Sequence, residues 1–114
     1  MIDLTLKIKT VSEANTREHW ATKAKRAKGQ RKMAGMGLSM SLMFEGKHEL
    51  PLAISFTRVG KKALDSDNLQ SSMKAVRDGV ADALGINDGS DLIKWDYQQE
   101  KGKEYAVRIR IEQL

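Results

Sequence analysis

Residues 65–85 read DSDNLQSSMKAVRDGVADALG, and the part from Leu69 onward carries the clearest helical pattern in the chain. Its apolar side chains recur every three or four residues, the spacing that places them on one face of an α-helix. Gly85 suits the left-handed backbone position that commonly ends a helix. The pattern therefore predicts a helix with one face on a core. Its apolar positions are Leu69, Met73, Val76, Val80, Ala83 and Leu84.

Four further segments alternate apolar and polar residues, which is the period-two pattern of a strand with one buried face. Pro51 opens the second of these segments, and the polar residues from Gln98 to Lys103 predict a turn between the last two. The segments are therefore expected to form four strands. Their apolar positions are Ile2, Leu4, Leu6 and Ile8; Leu52, Ile54 and Phe56; Ile93, Trp95 and Tyr97; and Tyr105, Val107, Ile109 and Ile111.

Another helix is expected to begin at Asn15, which can cap a helix together with Glu18 three residues later. For Trp20, a place in the core is favoured over stacking on a nucleic-acid base. Because glycine weakens a helix interior, residues 35–46 fit a frayed helix end, a turn or a flexible connection. The apolar stripe of this helix comprises Trp20, Ala24 and Ala27, and continues more loosely through Met33, Met36, Met40 and Met43.

The predicted order is β-α-β-α-β-β, which indicates an α+β fold with one mixed four-stranded sheet and two helices packed against it. The 114 residues fit a single domain, residues 1–114. The absence of cysteine agrees with a reducing compartment. The N-terminal residues do not resemble a signal peptide, and no stretch approaches the ~20 apolar residues of a membrane span. We therefore expect a cytoplasmic protein without a membrane partner.

The charges are segregated along a chain whose formal net charge is +5. Between His19 and Met43 lie six cations and no acid, and the segment from Asp65 to Asp96 inclusive contains seven aspartates and three cations. This distribution is typical of a basic face that binds polyanions beside an acidic pocket that binds metal, although a solvated helix face would also produce a basic run. The six cations are Lys23, Lys25, Arg26, Lys28, Arg31 and Lys32.

Two acids two residues apart, Asp65 and Asp67, stand just before the helical pattern. In an extended segment both would point to the same side, where a Mg²⁺ ion would relieve their repulsion. On the accessible face of the helix, Asp67 would align with Ser71, Lys74 and Asp78, and the following loop adds Asp88 and Asp91.

Each of these residues also has a structural interpretation. Asp67 could cap the helix, Lys74 and Asp78 could form a surface ion pair, and Asp88 could be an ordinary turn residue.

The motif Asp65-Ser66-Asp67-Asn68-Leu69, followed by Lys74, Asp78 and Asp88, resembles the RusA family of Holliday-junction resolvases of bacteria and their phages. Residues 15–20 and 24–28 are also similar to the basic first helix of phage-type members. The sequence differs from the family pattern at two points. Ser71 stands where the family's lysine often lies, and the loop acids appear as Asn87-Asp88 with Asp91 three residues later.

This resemblance implies a homodimeric endonuclease that uses Mg²⁺, with Mn²⁺ as a substitute, to cut four-way DNA junctions by paired nicks. It implies that Asp65 and Asp67 bind the metal, that Lys74 is the active-site lysine, and that Asp88 is the third carboxylate with Asp91 in reserve. Phosphates of branched DNA would be bound by Arg17, Lys23, Lys25, Arg26, Lys28, Arg31, Lys32, Lys61 and Lys62.

Two alternatives remain open from the sequence. The chain could bind branched DNA without cutting it, because the altered lysine and loop acids mark a decayed site. It could also be a basic adaptor for RNA or for an acidic protein, with the aspartates serving caps and turns.

Overall fold

The alternating segments form one sheet in the computed structural model, which describes residues 1–13, 17–46 and 48–114. Along the sheet the strands lie in the order β1-β4-β2-β3. β4 pairs antiparallel with β1 and β2, and β3 pairs parallel with β2. The α+β class and the mixed four-stranded sheet are thus confirmed. The elements are β1 (Ile2–Leu6), α1 (Trp20–Glu45), β2 (Leu52–Gly60), α2 (Ser66–Ser72), α3 (Lys74–Leu84), β3 (Ile93–Lys101) and β4 (Ala106–Gln113).

The core lies between one face of the sheet and the helices. Every second residue of β2 from Leu52 to Gly60 is buried, as the alternation predicts. Val76, Val80 and Leu84 of α3 belong to the same buried cluster, so the predicted inward face of this helix is confirmed. The opposite face of the sheet carries polar side chains, as is usual for a sheet covered on one side only.

Helix α1 begins later than predicted. Its first residue is Trp20, and the ring nitrogen Nδ1 of His19 accepts a hydrogen bond of 3.2 Å from the backbone N–H of Ala21. The predicted cap, Asn15, lies outside the described residues. Glu18 is not helical and instead pairs with Arg26.

The expectation that Trp20 is in the core is wrong, because this side chain is 74% exposed. Ala24 and Ala27 are exposed as well, and the buried residues of α1 lie further along, at Gln30, Ala34 and Leu38. A helix of 26 residues is about 39 Å long. Since the longest dimension of the molecule is 40 Å, α1 spans nearly the whole length of the molecule.

The glycines in α1 do not interrupt it. The helix continues through Gly35 and Gly37 to Glu45. Of the three structures that the sequence allowed for residues 35–46, neither the turn nor the flexible connection is therefore present before Gly46. Gly46, at φ 84°, ends the helix in a conformation that suits glycine.

The predicted second helix is divided at Met73, and its two parts are α2 and α3. The hydroxyls of Ser71 and Ser72 donate hydrogen bonds of 3.2 and 2.7 Å to the carbonyls of Asn68 and Leu69. Such bonds compete with the helical ladder, which explains why α2 ends there.

The predicted turn at 98–103 is also wrong, since β3 continues to Lys101. This edge strand pairs with β2 over its whole length, from Leu52 opposite Ile93 to Gly60 opposite Lys101. Main-chain pairing along β2 therefore overrides the polar composition of residues 98–101.

Helices α1 and α3 cross in close contact at Gly79. A Cβ atom on Gly79 would lie 2.3 Å from the carbonyl oxygen of Arg31 and 3.0 Å from Cβ of Ala34. Only glycine allows the backbones to approach this closely. Next to the crossing, Arg31 and Asp82 form an ion pair of 2.7 Å between the two helices.

We expect Gly79→Ala to lower the free energy of unfolding by about 1–3 kcal/mol, because the new methyl group overpacks the crossing. This loss exceeds the ~1 kcal/mol that alanine gains over glycine in a helix. Urea denaturation measures the change.

The matched control is Gly29→Ala in α1, where an added Cβ has no neighbour within 4 Å. It should raise stability by ~0.5–1 kcal/mol. A Gly79→Ala protein that is as stable as Gly29→Ala would contradict the close crossing.

Candidate functional site

The two acids of the motif lie where the chain enters α2. Asp65 is the N-cap residue, but its side chain makes no capping hydrogen bond, and Asp67 lies in the first turn. Capping by Asp67 is therefore excluded. Both side chains are exposed, and neither has a hydrogen bond or ion pair with any residue that the structure describes. The two carboxylates are available to a ligand from solvent.

The arrangement of these acids differs from the one expected. Residues from Ser66 onward are helical, so the spacing of an extended segment does not apply to Asp67. The break at Met73 also separates Asp67 from the helix that carries Lys74 and Asp78. These last two residues form the expected ion pair, with 3.2 Å between Nζ and Oδ2. Lys74 nevertheless remains exposed.

A hollow of about 290 Å³ begins one turn after Asp67. Its lining brings together two residues predicted for the site, Lys74 and Asp88, which come from α3 and from the loop that follows it. Asp91 is exposed and is not part of this lining. Of the two loop acids, Asp88 is therefore the one placed beside Lys74. The lining residues are Gln70, Ser71, Lys74, Arg77, Asp88 and Tyr97.

Arg77 anchors the loop that carries Asp88. Its Nη2 donates a hydrogen bond of 2.8 Å to the backbone carbonyl of Asp88, and its Nε lies 3.4 Å from the Asp88 carboxylate. Its Nη1 donates to the hydroxyl of Tyr97 at 2.9 Å. The guanidinium also stacks 4.2 Å above the ring of Trp95, whose Nε1 donates to the same Asp88 carbonyl at 3.1 Å. Two β3 side chains and one α3 side chain thus fix the loop.

Sequence reasoning assigned no role to Arg77. The sequence offered one indication of a role for Arg77. It follows Lys74 by three residues, so the two cations are neighbours on one face of the helix. Its aromatic partners could not be identified from the sequence, because they belong to a strand that follows the loop.

The predicted acids do not form a metal-binding cluster. Across the described ranges of the chain, no three or more acidic or histidine side chains lie together closely enough to hold a metal ion. The donor chemistry of Asp65 and Asp67 fits Mg²⁺, which is commonly held by one or two carboxylates with water and substrate phosphate completing its ligands. The donor type of Asp65 and Asp67 therefore suits Mg²⁺ bound together with phosphate, and the described residues do not form a preformed site of three aspartates.

The basic run of α1 is divided by its ion pairs. Arg26 binds Glu13 at 2.7 Å and Glu18 at 2.8 Å, and these carboxylates, Glu13 foremost, raise the pKa of Arg26. Lys23 donates a hydrogen bond of 2.9 Å to the carbonyl of Glu13. Arg31 lowers the pKa of Asp82 through their hydrogen-bonded pair. Acidic residues from other segments thus neutralise part of the positive charge of this run.

Three lysines of the run have neither an ion pair nor a side-chain hydrogen bond with any residue in the described part of the chain. Lys25, Lys28 and Lys32 are exposed on α1. Arg17, which precedes the helix, is exposed too. These are the cations of the predicted DNA-binding set that remain free near α1.

A second basic surface lies at the end of the parallel strand pair. The register that places Gly60 opposite Lys101 brings Lys61 beside Lys101 and Lys103, and these three lysines line a hollow of about 550 Å³. Lys61 and Lys62 were predicted for DNA binding, and both are exposed. Lys101 and Lys103 were missed, since only the strand register reveals their proximity.

No protein-family model matches the chain. An uncharacterized protein of the bacterium Xylella fastidiosa (strain Temecula1 / ATCC 700964) is 41% identical over 80 residues, which cover 65% of this chain and 51% of that protein. The chain thus spans about half the length of this relative. Within the described residues, no helix is both long and apolar enough to cross a bilayer.

Replacing Arg77 by lysine should release the loop. A single ammonium group cannot reproduce the two guanidinium N–H groups that donate separately to the Tyr97 hydroxyl and to the Asp88 carbonyl. We expect the free energy of unfolding to fall by about 1–3 kcal/mol. Hydrogen exchange of the amides at 87–90 should also become faster.

The control for this change is Arg17→Gln, which removes an exposed cation and should alter stability by no more than ~0.5 kcal/mol. Unchanged exchange at 87–90 in Arg77→Lys would show that Arg77 does not hold the loop.

Proposed function

We propose that this chain is a Mg²⁺-dependent, structure-selective DNA endonuclease of the RusA type that resolves four-way junctions by paired nicks. One observation carries the proposal. Asp65 and Asp67 are exposed and have no partner among the described residues, and one turn further along α2 begins the lining of a hollow that contains Lys74 and Asp88. Carboxylates without partners are what a hard metal ion bound together with a DNA phosphate requires.

Each residue has a distinct role in this proposal. Asp65 and Asp67 would hold the ion, which would supply positive charge to stabilise the phosphoryl group during hydrolysis. Lys74 donates to a phosphate oxygen, which costs little because its pair with Asp78 is exposed. Asp88 is kept beside Lys74 by Arg77 and orients the water or phosphate at the far side of the hollow.

The DNA backbone would be held by the exposed cations of α1 and of the β2–β3 end. The first group comprises Arg17, Lys25, Lys28 and Lys32, and the second comprises Lys61, Lys62, Lys101 and Lys103. We assign Arg26 and Arg31 to intramolecular ion pairs instead. A homodimer would supply two sites for paired nicks. A bacterial or phage protein that acts on DNA in this way would be cytoplasmic.

A second function is favoured by a specific observation. Arg77 lies 3.4 Å from the Asp88 carboxylate, and the acids of the described residues form no three-membered cluster. Both facts suit a module that binds branched DNA without cutting it.

Cleavage of a labelled four-way junction separates these functions. We expect the parent to make paired nicks with Mg²⁺ or Mn²⁺ and to stop when EDTA removes the metal. Asp67→Asn should cut at least ~10²-fold more slowly while binding the junction as tightly as the parent, since loss of a metal ligand affects the chemical step.

The matched control is Asp91→Asn, an exposed loop acid outside the hollow, which should cut at the parental rate. Equal rates in Asp67→Asn and Asp91→Asn would remove Asp67 from the mechanism. Tight binding by a parent that cuts with neither metal would establish the binding module.

The salt dependence of junction binding tests the cationic surface. Replacing Lys25 and Lys28 together by glutamine should weaken binding and reduce the slope of log K against log salt by about 2, because each lost phosphate contact contributes ~0.9. Lys7→Gln with Lys94→Gln removes the same charge from exposed sites elsewhere and should leave the slope unchanged. Identical slopes for both variants would mean that α1 does not contact DNA.

A further inference from the structure

The second half of α1 exposes five large apolar side chains to solvent. We call them the methionine stripe: Met33, Met36, Met40, Met43 and Phe44. Met43 is 83% exposed and Phe44 is 88% exposed. At 100° per residue, the stripe lies on the side of α1 away from Ala34 and Leu38, which pack in the core. A helix that is apolar on both sides is usually buried on both sides.

The stripe has the size of an interface. At roughly 200 Å² for a fully exposed side chain of this kind, the five residues expose about 670 Å². This exceeds the ~300–600 Å² of the largest apolar patch on a typical monomer. It supplies most of the ~800 Å² that each partner buries in a standard protein interface.

The spacing of the stripe is symmetric. Met33, Met36, Met40 and Met43 are separated by three, four and three residues, so the pattern reads the same in both directions about position 38. Two such helices can pack with Met36 of each opposite Met40 of the other. This is the self-complementary surface that a two-fold dimer requires.

Charge favours the antiparallel direction. A parallel pair would place Lys25, Lys28 and Lys32 beside the same lysines of the second copy. In the antiparallel pair the two Lys32 residues are about 18 Å apart along the axis, which exceeds the ~8–10 Å screening length. Lys32 then lies at the level of Glu45 of the second copy, which is exposed.

A trough beside the stripe offers a place for a side chain of the second copy. It has a volume of about 620 Å³, lies between α1 and α3, and includes Lys32, Met36 and Met40 in its lining. Antiparallel pairing brings Met43 of the second copy to the level of Met33, next to this trough.

We propose that the methionine stripe binds the stripe of a second copy of this chain, with the two α1 helices antiparallel about a two-fold axis near Leu38. This assigns the surface through which the proposed nuclease would dimerise. It does not depend on cleavage, because association is measured without DNA.

Sedimentation velocity of the purified chain tests the association. We expect a concentration-dependent species of twice the 12.8 kDa chain mass. Met36→Glu combined with Met40→Glu should raise the dissociation constant at least about tenfold. The control Trp20→Glu places one negative charge on an exposed apolar position of α1 outside the stripe and should leave the dissociation constant unchanged.

Circular dichroism shows that each variant is folded before its mass is compared. A parent that stays monomeric, or a dimer that the folded double variant forms equally well, would overturn the proposal.

Disulfide trapping tests the direction, and the lack of native cysteine makes it specific. Met33→Cys and Met43→Cys are prepared separately and then mixed under mild oxidation. The antiparallel pair predicts mostly the mixed disulfide, because identical positions are about 15 Å apart along the axis. A predominance of the two homodisulfides would indicate a parallel pair and would refute the proposed arrangement.

Discussion

The close crossing of α1 and α3 is the constraint on which the rest of the molecule depends. At Gly79 the α3 backbone reaches the carbonyl of Arg31, with no room for a side chain between them. The two helices therefore form one layer, and α3 directs Val76 and Val80 into the core. The Arg31–Asp82 pair lies next to the same crossing. It contributes little to the free energy of folding, because it is exposed.

The hollow takes its geometry from this layer and from the β2–β3 pairing. Arg77 extends from α3 to Trp95 and Tyr97, and both of these rings pack at 5.8 Å against Phe56 in β2. The position of Asp88 is consequently linked to the core through a chain of contacts: α3, Arg77, the β3 aromatics and β2. A loop acid held in this way can face Lys74 in a fixed arrangement, whereas Asp91, three residues later, is left in solvent.

The sequence was sufficient to predict the features that depend on local periodicity. Alternation identified the four strands, and the spacing of apolar residues identified the core face of α3 and its end at Gly85. Features set by distant contacts could not be predicted. The length of β3 depends on its pairing with β2, and the exposure of Trp20 depends on α1 packing through residues further along the helix, Gln30, Ala34 and Leu38.

The same limit applies to the candidate site. Its acids and Lys74 were identifiable by residue type, but Arg77 acquires its role only through Trp95 and Tyr97. The acid-free run of α1 suggested six equivalent cations. Tertiary contacts with Glu13, Glu18 and Asp82 divide them into two structural arginines, one lysine bound to a backbone carbonyl and three free lysines. Spacing along the chain could not distinguish the two groups, because the compensating acids belong to other segments.

Helix α1 thus contains three segments with different environments, and this division relates the two proposals to each other. Its first half carries free lysines, its middle packs on α3, and its second half carries the methionine stripe. An antiparallel pair through the stripes would direct the two lysine segments to opposite ends, with the Lys25 residues about 39 Å apart along the axis. Two equivalent cationic surfaces related by a two-fold axis match a substrate whose strands are themselves related by symmetry. The exposed apolar half of α1 and its basic half are therefore consistent with one purpose, since the first would set the distance and direction at which the second meets DNA.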